Sequence, residues 1–474
     1  MDARRSAPLG AGRARALLFA VVAVGGCATY TARPLTADQN LTRLEARRLD
    51  EPGLIRFLAA EPEAERHDGW DLARLVLAAY YFSPELDVAQ AKWVETRGGV
   101  VTAGQLPNPQ VGLTTVFDTT KLTPSPWVLS AAFSLTLEIA GKRGLREARA
   151  EALAEASRLD VAGAAWRIRG AVHRALAALA NALDDARLLQ EKATLEARVL
   201  ATLEAEQAAG AVSAFVVSAA RISAEATRLQ QVQAEEAIAV ARVDLAEAIG
   251  VAPAALEGVE PVFTDLETVP DEDALAGARR QTLLNHPELL AALARYAAAD
   301  ADLRLQVALQ YPDLRVGPSY SFNQGDNQWG IGLSVTLPIF NQNQGPIAEA
   351  EARRTRIGAE FDALQLRVLA AIERAISQLN SAEMALTQQD DLQRELEARA
   401  ETAAAMVAAG ELAPLELDGQ RLELATAALA RAQAVGRVRL ALVALEDALA
   451  SPAGLPRSLW RVSDPGQAVE GKRG

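Results

Sequence analysis

The chain has very few residues of the kinds that hold metals or form disulfides. Its 474 residues include one cysteine, Cys27, and three histidines, His67, His173 and His286. A single cysteine cannot form a disulfide within the chain, and histidines this far apart lack the spacing of a metal site. The sequence therefore predicts no metal site and no disulfide framework.

Motifs of common enzyme active sites are missing as well. The sequence has no phosphate-binding glycine–lysine loop, no GxSxG turn and no HExxH helix. Its formal net charge of −13 argues against a nucleic-acid partner, because the negative phosphates of nucleic acids bind to basic protein surfaces. We expect no catalytic residue and no cofactor, and an enzyme is the least supported functional class.

The first residues have the layout of a secretory signal. Arg4, Arg5, Arg13 and Arg15 precede the apolar stretch LLFAVVAVGG, which ends at Cys27 and is too short to span a bilayer. The residues VGGC resemble the lipobox of bacterial lipoproteins. That resemblance implies lipidation of Cys27, and Ala28 after it implies the outer membrane. The alternative is an ordinary signal peptide that happens to contain a cysteine.

The rest of the chain is a tandem repeat. SPELDVAQAKW (83–93) recurs as HPELLAALARY (286–296), so that Pro84 and Pro287 are 203 residues apart (287 − 84). TLEIAGKRGLREARAEA (136–152) and TLPIFNQNQGPIAEAEARR (336–354) begin at Thr136 and Thr336, 200 residues apart (336 − 136). Pro109 and Pro312 keep the first separation (312 − 109 = 203) and Gly210 and Gly410 the second (410 − 210 = 200), which indicates a duplication. Each repeat is predicted to contain a helix, two strands, a long helix and a returning helix.

The predicted strands have one apolar face. WVLSAAFSLTLEI and WGIGLSVTLPIF alternate apolar residues with small or polar ones, and Phe117, Trp127, Phe322 and Trp329 cluster at the hairpin ends. This pattern is typical of membrane strands with aromatic residues at the lipid boundary. A soluble sandwich also has alternating strands, but here no second sheet is available to cover the apolar face.

Four strands from one chain cannot close a membrane barrel. An open sheet leaves unpaired backbone groups in lipid, and small barrels need about eight strands. Two chains would supply eight strands and three chains would supply twelve. The residues alone leave this choice open.

The predicted helices are too long for a compact globule. Residues 142–209 contain no proline, and 68 residues (209 − 142 + 1) of helix extend about 100 Å. Apolar residues form a seam along this helix, including Ile168, Val172, Leu176 and Leu179. Gly210 and Gly410 end the long helices, and a second helix then returns. A soluble coiled-coil spacer would show the same seam, although not the attached membrane strands.

The two strand-to-helix junctions carry a family resemblance. TLPIFNQNQG before an Ala/Glu/Arg-rich helix, and its counterpart GKRGLREARAEA, resemble the TolC family of outer-membrane efflux proteins, in particular its cobalt–zinc–cadmium branch. The resemblance implies a homotrimer with a twelve-stranded β-barrel in the outer membrane and an α-helical tunnel in the periplasm. It also implies two partners, a periplasmic adaptor (membrane fusion protein) and an inner-membrane transporter of the RND type. Pro338 corresponds to the swivel between strand and helix, where the first repeat has Glu138.

The same resemblance assigns roles to the hairpin tips. Adaptor docking is implied for Gly210, Ala211, Val212 and Ser213 at the first tip and for Gly410, Glu411, Leu412 and Ala413 at the second. Glu416 and Asp418 are candidates for an acidic ring that lines the aperture and binds cations. The plainer interpretation is that both are solvated charges near the start of a helix. At the first tip the position matching Glu416 is the apolar Val216.

These observations define a predicted domain order: a signal peptide (1–26), a lipid-anchored linker (27–71), a first repeat (72–250), an equatorial linker (251–274), a second repeat (275–450) and a tail (451–474). The predicted function is a passive outer-membrane duct of a tripartite efflux system, with heavy-metal cations as the suggested substrate. The alternatives are a duct for drugs or for type I protein secretion, and a periplasmic coiled-coil structural lipoprotein.

Overall fold

The structure is a computed structural model that describes residues 30–61, 69–119, 125–263, 266, 272–450 and 459. The predicted signal peptide and Cys27 lie outside these residues. The chain divides into two compact units, residues 1–47 and 48–474. Of the first unit, the described part carries one helix, α1 (Ala37–Glu45).

The second unit contains the elements of both predicted repeats. Its helices are α2 (Pro52–Ala59), α3 (Leu72–Phe82), α4 (Pro84–Ala103), α5 (Lys142–Ala208), α6 (Ala214–Ile249), α7 (Glu272–Asn285), α8 (Pro287–Ala308), α9 (Gln344–Ala409) and α10 (Pro414–Leu449). Its strands are β1 (Gln110–Phe117), β2 (Trp127–Leu137), β3 (Leu314–Asn323) and β4 (Asp326–Val335). The predicted order of helix, two strands, long helix and returning helix is confirmed in both halves.

Proline divides the opening helix of each repeat at the same place. Pro84 and Pro287 occupy the first turns of α4 and α8, where the missing N–H costs nothing. The Ser83 hydroxyl accepts a hydrogen bond from the Leu86 N–H at 3.4 Å, and His286 Nδ1 accepts one from the Glu288 N–H at 3.3 Å. These caps end α3 and α7 and restart each helix in a new direction.

The four long helices of the second unit pack as a row. Helix α5 contacts α6 on one side and α10 on the other, and α10 in turn contacts α9. The shorter α4 packs against α5, and α8 packs against both α5 and α9. The predicted seam residues Ile168, Val172, Leu176 and Leu179 are all buried in the main core. This arrangement leaves α6 and α9 at the two ends of the row.

Charged residues join α5 to α10 within this row. Glu446 on α10 accepts hydrogen bonds from Arg169 and, at 2.8 Å, from His173 Nδ1. Burial alone would raise the pKa of the Glu446 carboxyl, but the hydrogen bond from His173 and the charge of Arg169 lower it to about 2. Arg439 also bridges the two helices through a 2.9 Å contact with Asp184. Glu446 therefore stays ionised, and these contacts hold the first hairpin against the second.

The four strands form one antiparallel sheet in the order β1-β2-β3-β4. The two hairpins join through β2 and β3, where Leu129 pairs with Phe322 and Leu137 with Leu314. Strands β1 and β4 are therefore the outer edges within the chain. The first strand of the first hairpin, whose alternation is less regular in sequence, pairs with β2 along its whole length.

Candidate functional site

Both hairpin tips have the same backbone geometry. Gly210 and Gly410 each have a φ of +77°, in the left-handed region that glycine adopts without a steric penalty. Past the glycine, the Ala211 N–H donates to the Glu206 carbonyl at 2.8 Å, and the Glu411 N–H donates to the Met406 carbonyl at 2.9 Å. Each long helix is thus closed in the same way before the chain returns.

The side chains at the two tips differ although their backbones match. Ala211, Val212 and Ser213 follow the first glycine, whereas Glu411, Leu412 and Ala413 follow the second. Phe215, the second residue of the returning helix at the first tip, is 81% exposed. The first tip is therefore an exposed apolar surface and the second an acidic one.

The structure separates the two aperture candidates. Glu416 is exposed in the first turn of α10, where the positive end of the helix dipole favours a carboxylate. Asp418 is buried, with Oδ1 at 3.3 Å from Arg421 and at 3.9 Å from Arg198 on α5. Asp418 is therefore not a solvated charge, because it connects α10 to α5 near the second tip.

The two strand-to-helix junctions are held differently. Pro338 lies between the end of β4 and the start of α9, and Asn343, the residue just before that helix, has a φ of +62°. At the first junction, both carboxylate oxygens of Glu138 accept hydrogen bonds from Arg146, at 2.6 and 2.9 Å. Sequence reasoning identified Glu138 as a departure from proline. The structure adds that a bidentate ion pair fixes this position.

Lys142 is a second anchor of the first junction that the sequence did not reveal. Its side chain is 3% exposed, and Nζ donates to the Tyr311 carbonyl and to Asp313 Oδ1, both at 2.6 Å. The partners lie just before β3, so this contact joins the start of α5 to the entry of the second hairpin. One difference between the repeats could have pointed to this role. The first repeat has the charged Lys142 where the second has the neutral Gln342.

The sheet has one apolar face and one face of small and polar residues. Strand pairing aligns apolar residues, as in Tyr320 opposite Trp329 and Val316 opposite Leu333. The opposite face aligns Ser130 with Ser321 and Gly317 with Gly332. In the second unit, many residues of the apolar face are exposed, and Ile331 is 85% exposed. This division matches strands that face lipid on one side and an aqueous lumen on the other.

Aromatic residues mark the hairpin ends of this sheet. The rings of Phe117 and Trp127 contact each other edge to face with centroids 4.9 Å apart, and those of Tyr320 and Trp329 are also 4.9 Å apart. The first pair lies at the turn end of its hairpin, and the second lies in the half of its hairpin nearer the turn. Aromatic residues favour the boundary between lipid and water.

No group of three or more His, Cys, Asp or Glu side chains within the described ranges could hold a metal ion. Among the described residues, no helix is both long enough and apolar enough to cross a bilayer.

Comparison with known proteins identifies the fold built from these parts. Residues 79–251 and 278–451 match the outer membrane efflux protein family, one segment for each repeat. The chain belongs to this family. It is the outer-membrane channel component of a tripartite efflux system, as the resemblance in the junctions predicted.

Individual relatives of this efflux channel agree with the assignment. The cobalt-zinc-cadmium resistance protein CzcC of Cupriavidus metallidurans is 27% identical over 301 residues, which are 62% of this chain and 69% of that protein. The outer membrane protein VceC of Vibrio cholerae is 20% identical with a TM-score of 0.66, over 80% of this chain and 96% of that chain. The CmeC outer membrane channel of Campylobacter jejuni is 14% identical with a TM-score of 0.65, over 94% and 98% of the two chains. These structures share the fold of the efflux channel.

Proposed function

We propose that three copies of this efflux channel close a twelve-stranded barrel in the outer membrane, above a tunnel of helices in the periplasm. The argument begins at the open edges of the sheet. Strands β1 and β4 are unpaired on their outer sides within one chain, which is not viable in lipid. In a ring of chains, the β4 of one copy pairs with the β1 of the next, so that no edge remains.

The row of helices supports the same closure. Helix α6, at one end of the row, carries the exposed apolar residues Ile222, Leu229 and Val243 on one stripe, spaced by seven and fourteen residues, with Glu236 at the position between the last two. A repeat of seven residues keeps a stripe facing a partner helix in a coiled coil. Because α9 is the other end of the row, the natural partner of α6 is the α9 helix of a neighbouring copy.

The tips form the proposed contact with the periplasmic adaptor. They lie at the far end of both hairpins from the sheet, and the residues after Gly210 and Gly410 are mostly exposed there. Phe215 gives the first tip an apolar anchor of the kind that often dominates binding energy. The inner-membrane transporter, proposed to be of the RND type, would supply the energy, so the channel itself needs no catalytic group.

Glu416 carries the proposed cation selectivity of the aperture. It is exposed at the second tip, and three copies would concentrate negative potential in a narrow mouth. Asp418 remains the second candidate, although its ion pairs with Arg198 and Arg421 offset its charge.

Single-channel conductance in planar bilayers tests this function. We expect discrete, cation-selective openings, and in Glu416→Ala we expect the ratio of cation to anion permeability to fall about fivefold, since a unit charge about 4 Å from an ion is worth about 1 kcal/mol in water. Val216→Ala, at the matching position of the first tip, is the control without a charge change. If the cation selectivity is unchanged in both Glu416→Ala and Asp418→Ala, these two residues do not determine it. A stable monomer that forms no channels would contradict the duct and favour a coiled-coil structural lipoprotein.

Heavy-metal cations are the proposed substrate. This rests on the likeness to a protein named for cobalt, zinc and cadmium resistance, since the described residues contain no metal-binding cluster. A host strain without this channel should lose tolerance to cobalt, zinc or cadmium salts and regain it when the gene is restored. Loss of tolerance to organic drugs, or loss of a secreted protein, with metal tolerance unchanged would favour the alternative ducts.

Lipidation of Cys27 is proposed as the anchor of the chain in the outer membrane. The support is the VGGC sequence after an apolar stretch, with Cys27 as the only cysteine. Mass spectrometry of the mature N-terminal peptide should find a diacylated and N-acylated cysteine. An unmodified N-terminus at another residue would mean that the segment is an ordinary signal peptide and that Cys27 is not lipidated.

A further inference from the structure

The four strands carry only two charged residues, at opposite ends of the sheet. Arg315 is the second residue of β3, next to the helices, and Asp326 is the first residue of β4, at the hairpin turn. Every other residue of the four described strands is uncharged. A charge in a strand of a membrane sheet is costly on the lipid side and is tolerated on the lumen side.

Strand pairing places Arg315 on the face of small and polar residues. Its partners across the sheet are Thr136 on β2 and Ser334 on β4. The apolar Leu314 and Val316, its neighbours along β3, belong to the opposite face. The Arg315 side chain is exposed on that surface.

The other charges that meet at this end of the sheet are paired with one another. Lys142 contacts Asp313 at 2.6 Å, and Arg146 holds Glu138 through two hydrogen bonds. The structure records no hydrogen bond or ion pair between Arg315 and another described residue. Since the other two cations are offset by carboxylates, the guanidinium of Arg315 contributes an uncompensated positive charge.

We infer that Arg315 makes the electrostatic potential positive inside the barrel at the end next to the tunnel, so that this end attracts anionic solutes although the aperture at Glu416 favours cations. The inference rests on the proposed ring of three chains, which would bring three guanidinium groups around one lumen. A ring of like charges within walls of low dielectric constant concentrates its potential in the pore. Ser334, Thr136 and Gly332, the strand residues nearest to Arg315 on this face, are uncharged, so none of them offsets its charge. Guanidinium groups bind carboxylate and phosphate groups, which are the anions this position would attract.

The test uses cysteine reactivity, because it reports the potential in the lumen even if the aperture is closed. Ser334→Cys places a thiol directly across from Arg315, about 5 Å away between Cβ atoms. In folded, full-length trimers in lipid nanodiscs at low ionic strength, this thiol is treated with an anionic and with a cationic methanethiosulfonate of similar size. We expect the ratio of anionic to cationic reaction rates to fall about fivefold to tenfold when Arg315→Gln is added. Arg315→Lys should keep the ratio, and Arg315→Glu should invert it.

Matched thiols control for position. Gln328→Cys lies on the same face of β4 but six residues away, about 20 Å along the strand, so its ratio should change little. Val335→Cys lies on the apolar face and should react slowly with both reagents. Protein without an added cysteine measures the background reaction of Cys27.

The outcomes separate this inference from the proposed function. A Ser334→Cys thiol that reacts with both reagents at a ratio independent of residue 315 overturns the role of Arg315 and keeps the barrel. If, in folded trimers, the thiol of Ser334→Cys is inert and that of Val335→Cys reacts, the apolar face would line the lumen. That result would overturn the barrel as proposed.

Discussion

Gly317→Ala is expected to prevent most of the channel from reaching its folded state. Gly317 lies in β3 between its partner strands, and a Cβ at this position would overlap the carbonyl oxygen of Phe133 on β2 and lie 2.6 Å from its carbonyl carbon. Both crowding atoms belong to the backbone, so no side chain can rotate away. The two hairpins would have to separate locally, at a cost of about 3 kcal/mol or more.

The close approach at Gly317 has a local cause. Pro318 follows it and has no N–H to donate, and the pairs that residues 317 and 318 would form with β2 are missing from an otherwise continuous register. Ala132 still pairs with Ser319 and Leu135 with Val316, so the strands stay aligned on either side of the gap. Glycine is the residue that permits this contact between the two hairpins.

The experiment compares two glycines that each follow a valine in the first strand of a hairpin. Within one chain, no atom lies within 4 Å of a Cβ added at Gly112 on β1, so Gly112→Ala should leave the contact between the two hairpins intact. The fraction of heat-resistant trimer in outer-membrane extracts and its thermal midpoint provide the measurement. Equal yields and midpoints for Gly317→Ala and Gly112→Ala would show that β2 and β3 are not in this close contact.

The sequence predicted the elements of this fold better than their contacts. The long helix expected over 142–209 is observed as α5 (Lys142–Ala208), and the glycines at the tips have the backbone geometry of helix ends. Period and turn residues are local signals, and they are strong in helices of this length. The duplication also allowed each repeat to support the interpretation of the other.

Pairings between distant residues could not be read in the same way. Nothing in the sequence pattern joins Arg198 to Asp418, Lys142 to Asp313 or Glu446 to His173, because a single charged residue matches many partners equally well. The order of the sheet was also open, since either strand of one hairpin could have joined the other hairpin. Asp418 shows the consequence, because a residue that sequence suggested for the aperture has its carboxylate bound between two helices.

Lys142→Met is the second change for which we expect a large effect. The buried ammonium of Lys142 neutralises Asp313 and satisfies the Tyr311 carbonyl, and methionine fills a similar volume without donating. Removal of one partner leaves a carboxylate and a carbonyl without their donor, which costs about 2–3 kcal/mol here because Asp313 can regain some water. Thermal unfolding of the trimer should therefore begin at a lower temperature.

The duplication supplies the control for Lys142. Gln342 is exposed at the matching position of the second junction, so Gln342→Met should leave the thermal midpoint unchanged. A double-mutant cycle with Asp313→Asn isolates the pair, because the two single losses should sum to more than the loss in the double variant. The ion pair does not hold the first junction if the stability losses of Lys142→Met and Asp313→Asn are additive and Lys142→Met has the same thermal midpoint as Gln342→Met. A measured coupling would instead mean that the pairing of Lys142 with Asp313 helps to fix the first strand-to-helix junction.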